Sequence, residues 1–266
     1  MPELPEVETI VRQLAPVLAG RAVKKIEILD PLIRLTPPAA GKLKISRVAR
    51  IGKQIALELS ASGRPPLWLF FHLRMTGRLI YDNPQSENRN PKSLRARIVL
   101  DRGALNFIDT RRLGTMRLAE GPPPEPGLDP MSRAFTTRAL AGLLAGSPTP
   151  IKPWLLRQDR LAGIGNIYAS EALFNARIDP CRPAGGLAQP EIARLRRSIR
   201  LILSRAIRAQ GTTFSDYRDS TGARGRYVNR LAVYNRKDQP CPRCGAPIGR
   251  IVQAQRSTFF CANCQK

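Results

Sequence analysis

The chain has 266 residues, 42% of them hydrophobic, which suits about two domains with real cores and excludes a disordered polymer. It carries 44 Lys and Arg against 20 Asp and Glu, a net charge of +24, and an excess of that size argues for a polyanionic partner over a small metabolite. The excess is uneven, +8 over residues 1–131 and +16 over residues 132–266, so the second half is the stronger electrostatic footprint.

Residues 4–19 space Val7, Ile10, Val11, Leu14, Val17 and Leu18 as one face of a helix, with Pro5 suited to its first turn. From 22 to 118 the texture turns to short β-type runs at 23–29, 44–59, 67–73, 78–81, 95–100 and 104–109, separated by Gly, Pro, Asn and Asp. These runs predict a β-sandwich or barrel-like sheet behind a leading helix. Residues 121–130, GPPPEPGLDP, hold five prolines and two glycines and read as a stiff linker and domain boundary. Helical patterns follow at 136–144, 151–158 and 166–176, then a long basic helix from Pro190 to Gln210 with Ile192, Leu195, Ile199, Ile202, Leu203 and Ile207 on its core face. Residues 211–235 read as a loop rich in Gly and Arg. No apolar run reaches the roughly 18–20 residues of a membrane span, and the acidic start MPELPEVE is unlike a secretory signal, so a cytoplasmic protein without a membrane partner is expected.

Four of the five cysteines, Cys241, Cys244, Cys261 and Cys264, form C-x2-C-x16-C-x2-C, the spacing by which two tight turns complete a tetrahedral thiolate site. One Zn2+ is expected, structural because four protein ligands leave no open position. Two disulfides are the alternative, disfavoured in a reducing compartment; Cys181 is a bystander. The stretch between the pairs reads as a β-hairpin that can hold Arg256 firmly against nucleic acid.

In DRLAGIGNIYASEALF a G-x-G turn precedes Asn166, read as a helix N-cap whose free amides favour a phosphate; an ordinary interhelical turn is the plainer reading. Lys152 is either a backbone contact or a solvated lysine. At the N-terminus, Pro5, Glu6 and Glu8 can simply start a helix and complement its dipole. The sharper reading removes Met1, leaving Pro2 with a secondary amine whose pKa of about 8 gives free base at neutral pH, a nucleophile for a deoxyribose C1′. Glu3 beside it could protonate the ring oxygen.

MPELPEVE, the segment with Lys53, HLRMTG, DTRRLG, AGIGNIYASEALF and AQRSTFFCANCQK together resemble bacterial formamidopyrimidine-DNA glycosylase, in order along the whole chain. The resemblance implies an α+β protein: an N-terminal catalytic β-sandwich with its leading helix (1–120), the Pro-rich linker (121–131), a helical helix-two-turn-helix DNA-binding domain (132–235) and a C-terminal zinc β-hairpin finger (236–266). It implies excision of 8-oxoguanine and formamidopyrimidines from double-stranded DNA, then cleavage of the abasic strand on both sides, by a monomer. By motif it makes Pro2 the Schiff-base nucleophile, Glu3 the general acid, Glu6 a supporting carboxylate, Lys53 the proton donor in β-elimination and Arg256 the residue that binds the flanking phosphate and assists δ-elimination. Met75, Arg111 and Leu113 take the positions that fill the gap left by an everted base; Asn166 and Lys152 become phosphate or lesion contacts, and 211–228 resembles the segment that closes over 8-oxoguanine.

Three departures stand out. Leu113 replaces the usual aromatic wedge, Ser93 and Arg95 stand where histidines are expected, and Ser147 stands where a lysine is common. Two rivals remain open at this point. An endonuclease VIII-like glycosylase for oxidised pyrimidines is disfavoured by MPELPEVE and the long 211–228 segment; a non-catalytic zinc DNA-binding protein would form no covalent adduct with abasic DNA.

Overall fold

The computed structural model describes residues 1–38, 43–83, 93–121, 124 and 126–266. Its chain divides into two compact units, Met1–Pro124 with Ala209–Val228, and Glu125–Arg208 with Asn229–Lys266.

The first unit opens with helix α1 (Leu4–Leu18) and continues through β1 (Val23–Ile28), β2 (Lys44–Ile51), β3 (Gln54–Ser60), β4 (Leu67–His72), β5 (Gly77–Asp82), β6 (Leu94–Leu100), β7 (Ala104–Asp109) and β8 (Thr115–Glu120). Two antiparallel four-stranded sheets result, ordered β1-β6-β7-β5 and β2-β3-β4-β8, which is the expected β-sandwich. Alternation decides which face is buried. Ile55, Leu57 and Leu59 of β3 and Leu69 and Phe71 of β4 join Val7, Ile10, Val11, Leu14 and Leu18 of α1 in one core. The opposite face of the second sheet carries Ala56, Trp68 and Phe70, closed off as a small separate cluster.

The second unit contains α2 (Thr137–Leu144), α3 (Ile151–Leu155), α4 (Asn166–Ala176), α5 (Gln189–Arg208) and the hairpin β9 (Gly249–Gln253) and β10 (Arg256–Phe260). Thr136 caps α2 by accepting the Ala139 amide. All six apolar residues expected to face inward from α5 are buried.

Several expectations need correction. The run 44–59 is two strands, because Gly52 adopts φ +57° and turns the chain at Gly52–Lys53. Strand β8 lies outside the predicted runs: its alternation, Met116 inward against Arg117 outward, is too short to stand out from the preceding DTRRLG. Asn166 is not the N-cap of α4 but its first helical residue, with extended Gly165 at the cap, which frees the Asn166 side chain for other partners. The Pro-rich segment is not wholly linker. Pro122, Pro123 and Glu125 lie outside the described residues, yet Leu128 exchanges backbone hydrogen bonds with Arg160 and Ala162. Finally, the stretch 132–235 does not stay in one unit: Ala209–Val228 belongs with the sandwich. Gln13 of α1 holds it, donating to the Asp219 carboxylate and accepting from the Ser220 amide and hydroxyl.

Candidate active site and metal centre

The start of α1 carries the first candidate group. Glu3 is its N-cap residue and Glu6 stands three positions on, so the Glu6 side chain reaches back to the Glu3 amide at 2.8 Å in a capping-box arrangement. The other Glu6 oxygen accepts the Thr212 amide at 2.7 Å, and the Tyr217 hydroxyl donates to the Glu6 carbonyl. One buried carboxylate therefore ties the segment behind Pro2 to a stretch of chain 206 residues away. A Cβ on Gly211 would lie 2.8 Å from that carboxylate, and Gly211 takes φ +83°, so glycine is required there on two counts. Glu3 and Glu6 are both nearly inaccessible, at 4% and 2%, whereas Met1 is 46% exposed. Burial, with Glu6 and Asp219 nearby, pushes the Tyr217 phenol well above its ordinary range. Glu8 does not belong to this group. Burial opposes its ionisation, but hydrogen bonds from Arg12 and Arg50 outweigh it and hold the carboxyl below the usual range.

Lys53 occupies the turn of the β2–β3 hairpin, half-buried, and His72 lies across the sheet opposite Gln54. Burial, together with the charges of Arg74 and Lys53, holds the His72 imidazole down to about 4, so it is neutral at pH 7. His72 is the only histidine of the chain, and apart from its place in HLRMTG nothing in the residue pattern signals this environment.

Met75, Arg111 and Leu113 stand on two tight turns of the same unit, residues 73–77 and 109–114. Met75 is 39% and Leu113 47% exposed. Exposure on this scale excludes a core role for either side chain. Ser93 sits beside the second turn; its carbonyl accepts the Asp109 amide.

In the second unit the four cysteine Sγ atoms lie within 4.8 Å of one another, with Cys241 and Cys264 3.9 Å and Cys244 and Cys261 3.5 Å apart. A tetrahedron of roughly 2.3 Å Zn–S bonds requires edges of about 3.8 Å, so this donor set fits the ion, and neither of these pairs is at disulfide distance. The Arg243 amide donates to Cys241 Sγ, and Gly245 at φ +76° closes the first turn. The protein has one structural zinc site, formed by Cys241, Cys244, Cys261 and Cys264.

The hairpin that the metal pins reverses at Ala254 and Gln255, both left-handed (φ +45° and +59°), a conformation costing roughly 1 kcal/mol or more for each non-glycine residue. Arg256 follows directly and is exposed. Behind it, Ser257 offers its carbonyl to Asn166 Nδ2 at 3.0 Å and to Lys152 Nζ at 3.4 Å, while Lys152 also donates to Asn166 Oδ1. Lys152 is wholly buried, which rules out a solvated lysine and leaves it, with Asn166, bracing the residue after Arg256. Ser147 is remote from this group in its bonding: its amide donates to Leu144 and its carbonyl accepts from Gly185. Glu171 carries no sequence signal of its role. It is an acid in the middle of an apolar helix, 2% exposed, accepting the amides of Ala232, Val233 and Tyr234 and so fixing the segment that leads into the zinc module. Burial drives its pKa up against the pull of those three amides.

Comparison with known proteins agrees along the whole length. Residues 1–116 match the formamidopyrimidine-DNA glycosylase N-terminal domain, 127–218 the H2TH domain of the same glycosylase, and 238–266 the zinc finger found in FPG and IleRS. The formamidopyrimidine-DNA glycosylase of Symbiobacterium thermophilum is 43% identical, over all of this chain and 89% of that relative. The crystal structure of the MutM (FPG) protein from Thermus thermophilus superposes with a TM-score of 0.87 at 39% identity, covering 99% of this chain and 98% of that one. A Lactococcus lactis FPG variant in complex with Fapy-dG-containing DNA gives a TM-score of 0.87 at 32% identity, with full coverage of both chains. The chain belongs to the formamidopyrimidine-DNA glycosylase family. No helix among the described residues is long and apolar enough to cross a membrane.

Proposed function

We propose that this protein is a bifunctional DNA glycosylase and abasic-site lyase of base excision repair, acting as a monomer in the cytoplasm on double-stranded DNA that carries 8-oxoguanine or formamidopyrimidines. The observation that carries the reading is the buried Glu3–Glu6 pair directly behind Pro2, in a chain with a net charge of +24.

After removal of the exposed Met1, the Pro2 nitrogen attacks C1′ of the damaged nucleoside while Glu3 protonates the sugar ring oxygen. The C1′–base bond breaks, the base departs with the bonding pair and takes up the proton that the Pro2 nitrogen gives up, and opening of the ring at the oxygen protonated by Glu3 leaves an iminium between Pro2 and the sugar. That cation acidifies the C2′ proton; its removal expels the 3′ phosphate in β-elimination, with Lys53 supplying the proton this step requires. Arg256, braced by Ser257, Asn166 and Lys152, neutralises the second phosphate as it leaves in δ-elimination. Met75, Arg111 and Leu113 enter the gap left by the everted base, offsetting part of an unstacking cost of a few kcal/mol. Ser93 and Ser147 occupy the remaining strand-contact positions and can offer a phosphate only a neutral hydroxyl.

Borohydride reduction in the presence of abasic DNA is expected to give one covalent adduct per chain, at the N-terminal proline by mass spectrometry. An N-terminal extension, which ties the nitrogen up in an amide, should abolish the adduct, and Pro2→Gly, which keeps only a primary amine, should slow its formation. An adduct formed unchanged in those variants removes Pro2 from the mechanism. Arg256→Ala should retain the adduct, weaken duplex binding and stop at the β-eliminated product. Comparison of 8-oxoguanine with thymine glycol duplexes separates the purine enzyme from the pyrimidine-specific alternative.

A further inference from the structure

The three side chains that enter the duplex gap, on the reading above, are displayed by two turns that share one staple. In the 73–77 turn the Gly77 amide donates to the Leu73 carbonyl at 2.9 Å, and any Cβ on Gly77 would collide with that carbonyl. In the 109–114 turn the Asp109 carboxylate accepts the Arg111 amide at 3.2 Å and the Gly114 amide at 2.6 Å. Thr76, next to Met75, donates its hydroxyl to the same carboxylate and accepts the Arg111 amide at 3.3 Å. Asp109 thereby holds both turns.

Behind the staple lies a second layer. Arg95, 3% exposed, donates Nη1 to the Gly114 carbonyl at 2.6 Å and Nε to Asp30 at 2.6 Å, and its Nη1 is 3.7 Å from Asp109. Asp30, 6% exposed, also accepts the Leu32 amide and takes Arg112 Nε at 2.9 Å and Arg112 Nη2. Arg112 adopts φ +56°, the left-handed region. With its guanidinium drawn back onto Asp30, its two chain neighbours, Arg111 and Leu113, are both exposed. A left-handed arginine in an exposed turn persists where surrounding bonds over-determine it, and here the Asp30 pair does so together with the Arg112 amide's bond to the Asp109 carbonyl at 3.4 Å.

We propose that Arg95, Asp30 and Arg112 form a positioning clamp that presets the Arg111–Leu113 turn, so that the gap-filling side chains stand ordered before the duplex arrives. The clamp rests on the assignment of Met75, Arg111 and Leu113 as gap fillers. It matters more here because Leu113 offers less stacking surface than a ring, so the ordering cost of insertion weighs more heavily. It also gives Arg95, one of the departures from the family pattern, a function: a histidine would not span Asp30, Gly114 and Asp109 at once.

The clamp makes base eversion from intact duplex depend on residues that touch neither base nor sugar, while chemistry on an already unpaired sugar does not. The test uses the full-length, zinc-loaded protein and two substrates: a duplex with 8-oxoguanine, under single-turnover conditions, and a single-stranded oligonucleotide with an abasic site, under borohydride trapping. Arg112→Ala and Asp30→Asn should each slow duplex excision at least tenfold at saturating enzyme, with single-strand trapping within twofold of the parent. Combining Arg112→Ala with Leu113→Ala should slow excision by less than the product of the separate effects. Should Asp30→Asn fail to fold, Arg112→Ala, whose side chain is half exposed, decides the matter alone. Excision at parental rate in Arg112→Ala, or a parallel fall of both readouts, overturns the clamp. If the parent protein itself traps no abasic DNA, the catalytic reading has failed and not the clamp.

Discussion

Two hairpins of this protein each carry a candidate catalytic cation at or beside the reversal of the chain, and they are stabilised by different physics. The β2–β3 hairpin, with Lys53 at its turn, belongs to a four-stranded sheet whose inner face lies on the main core. The β9–β10 hairpin, with Arg256 directly after its turn, is a two-stranded sheet by itself, and two strands alone are marginal in water. It is held by four thiolates around a metal at its base, by Glu171 on the incoming chain and by Lys152 and Asn166 under Ser257. Tyr234 adds an edge-to-face contact with Phe259 at 5.2 Å. Apolar neighbours hold the first hairpin in place. The second is held by the bonded polar groups beneath it and by the clamp at its base, so it is expected to be lost without the first.

The largest effect that would break this contrast is removal of zinc. Cys244→Ser, or chelation, takes away an ion whose binding in small zinc modules is worth about 10–16 kcal/mol, and residues 236–266 should unfold. Zinc content should fall from one per chain to none and duplex binding should be lost, while hydrogen exchange over β2–β3 remains slow. Simultaneous loss of protection in both hairpins would show that they are one cooperative unit.

Next comes the brace. Lys152→Ala removes a buried side chain and strips Asn166 and Ser257 of a donor, a loss of roughly 2–4 kcal/mol. Strand cleavage should then stop at β-elimination although Arg256 is intact, as product analysis on a gel would reveal; full δ-elimination would mean that Arg256 needs no brace.

Glu6→Gln tests the first unit. One oxygen still accepts, but the amide turns a donor toward either the Glu3 or the Thr212 N–H, costing about 1–3 kcal/mol. Adduct formation at Pro2 should slow, and exchange at the Thr212 amide should quicken. An unchanged Thr212 amide would show that the 209–228 segment is held by Gln13 instead.

The smallest expected effect is pH dependence from His72. Its folded pKa is about 4 against 6.5 ordinarily, so between these values the unfolded chain binds the extra proton. Stability from this group is therefore full above about pH 6.5 and declines as pH falls toward 4, by on the order of 1 kcal/mol at pH 5 after allowance for partial exposure. Urea midpoints at pH 7 and pH 5 should converge in His72→Gln; a parental slope in that variant would assign the dependence elsewhere.

Local pattern and local spacing made much of the molecule legible from sequence. The apolar stripe of α1, seven of the eight sandwich strands once the 44–59 run is divided, the core face of α5 and the four metal ligands all follow from periodicities of 2 and 3.6 or from cysteine spacing. The exposed Met75 and Leu113 were pointed to only by resemblance, since composition alone would have put them inside.

Only the tertiary structure decided where the buried polar groups find partners. Glu6 meets Thr212 across 206 residues, Lys152 meets Ser257 across 105, and Arg95 meets Asp30 across 65. Periodicity reports which face of an element leaves water, and that is a property of neighbouring residues in the chain. A buried charge has no such signature, because what permits its burial is a complementary group brought close by the fold.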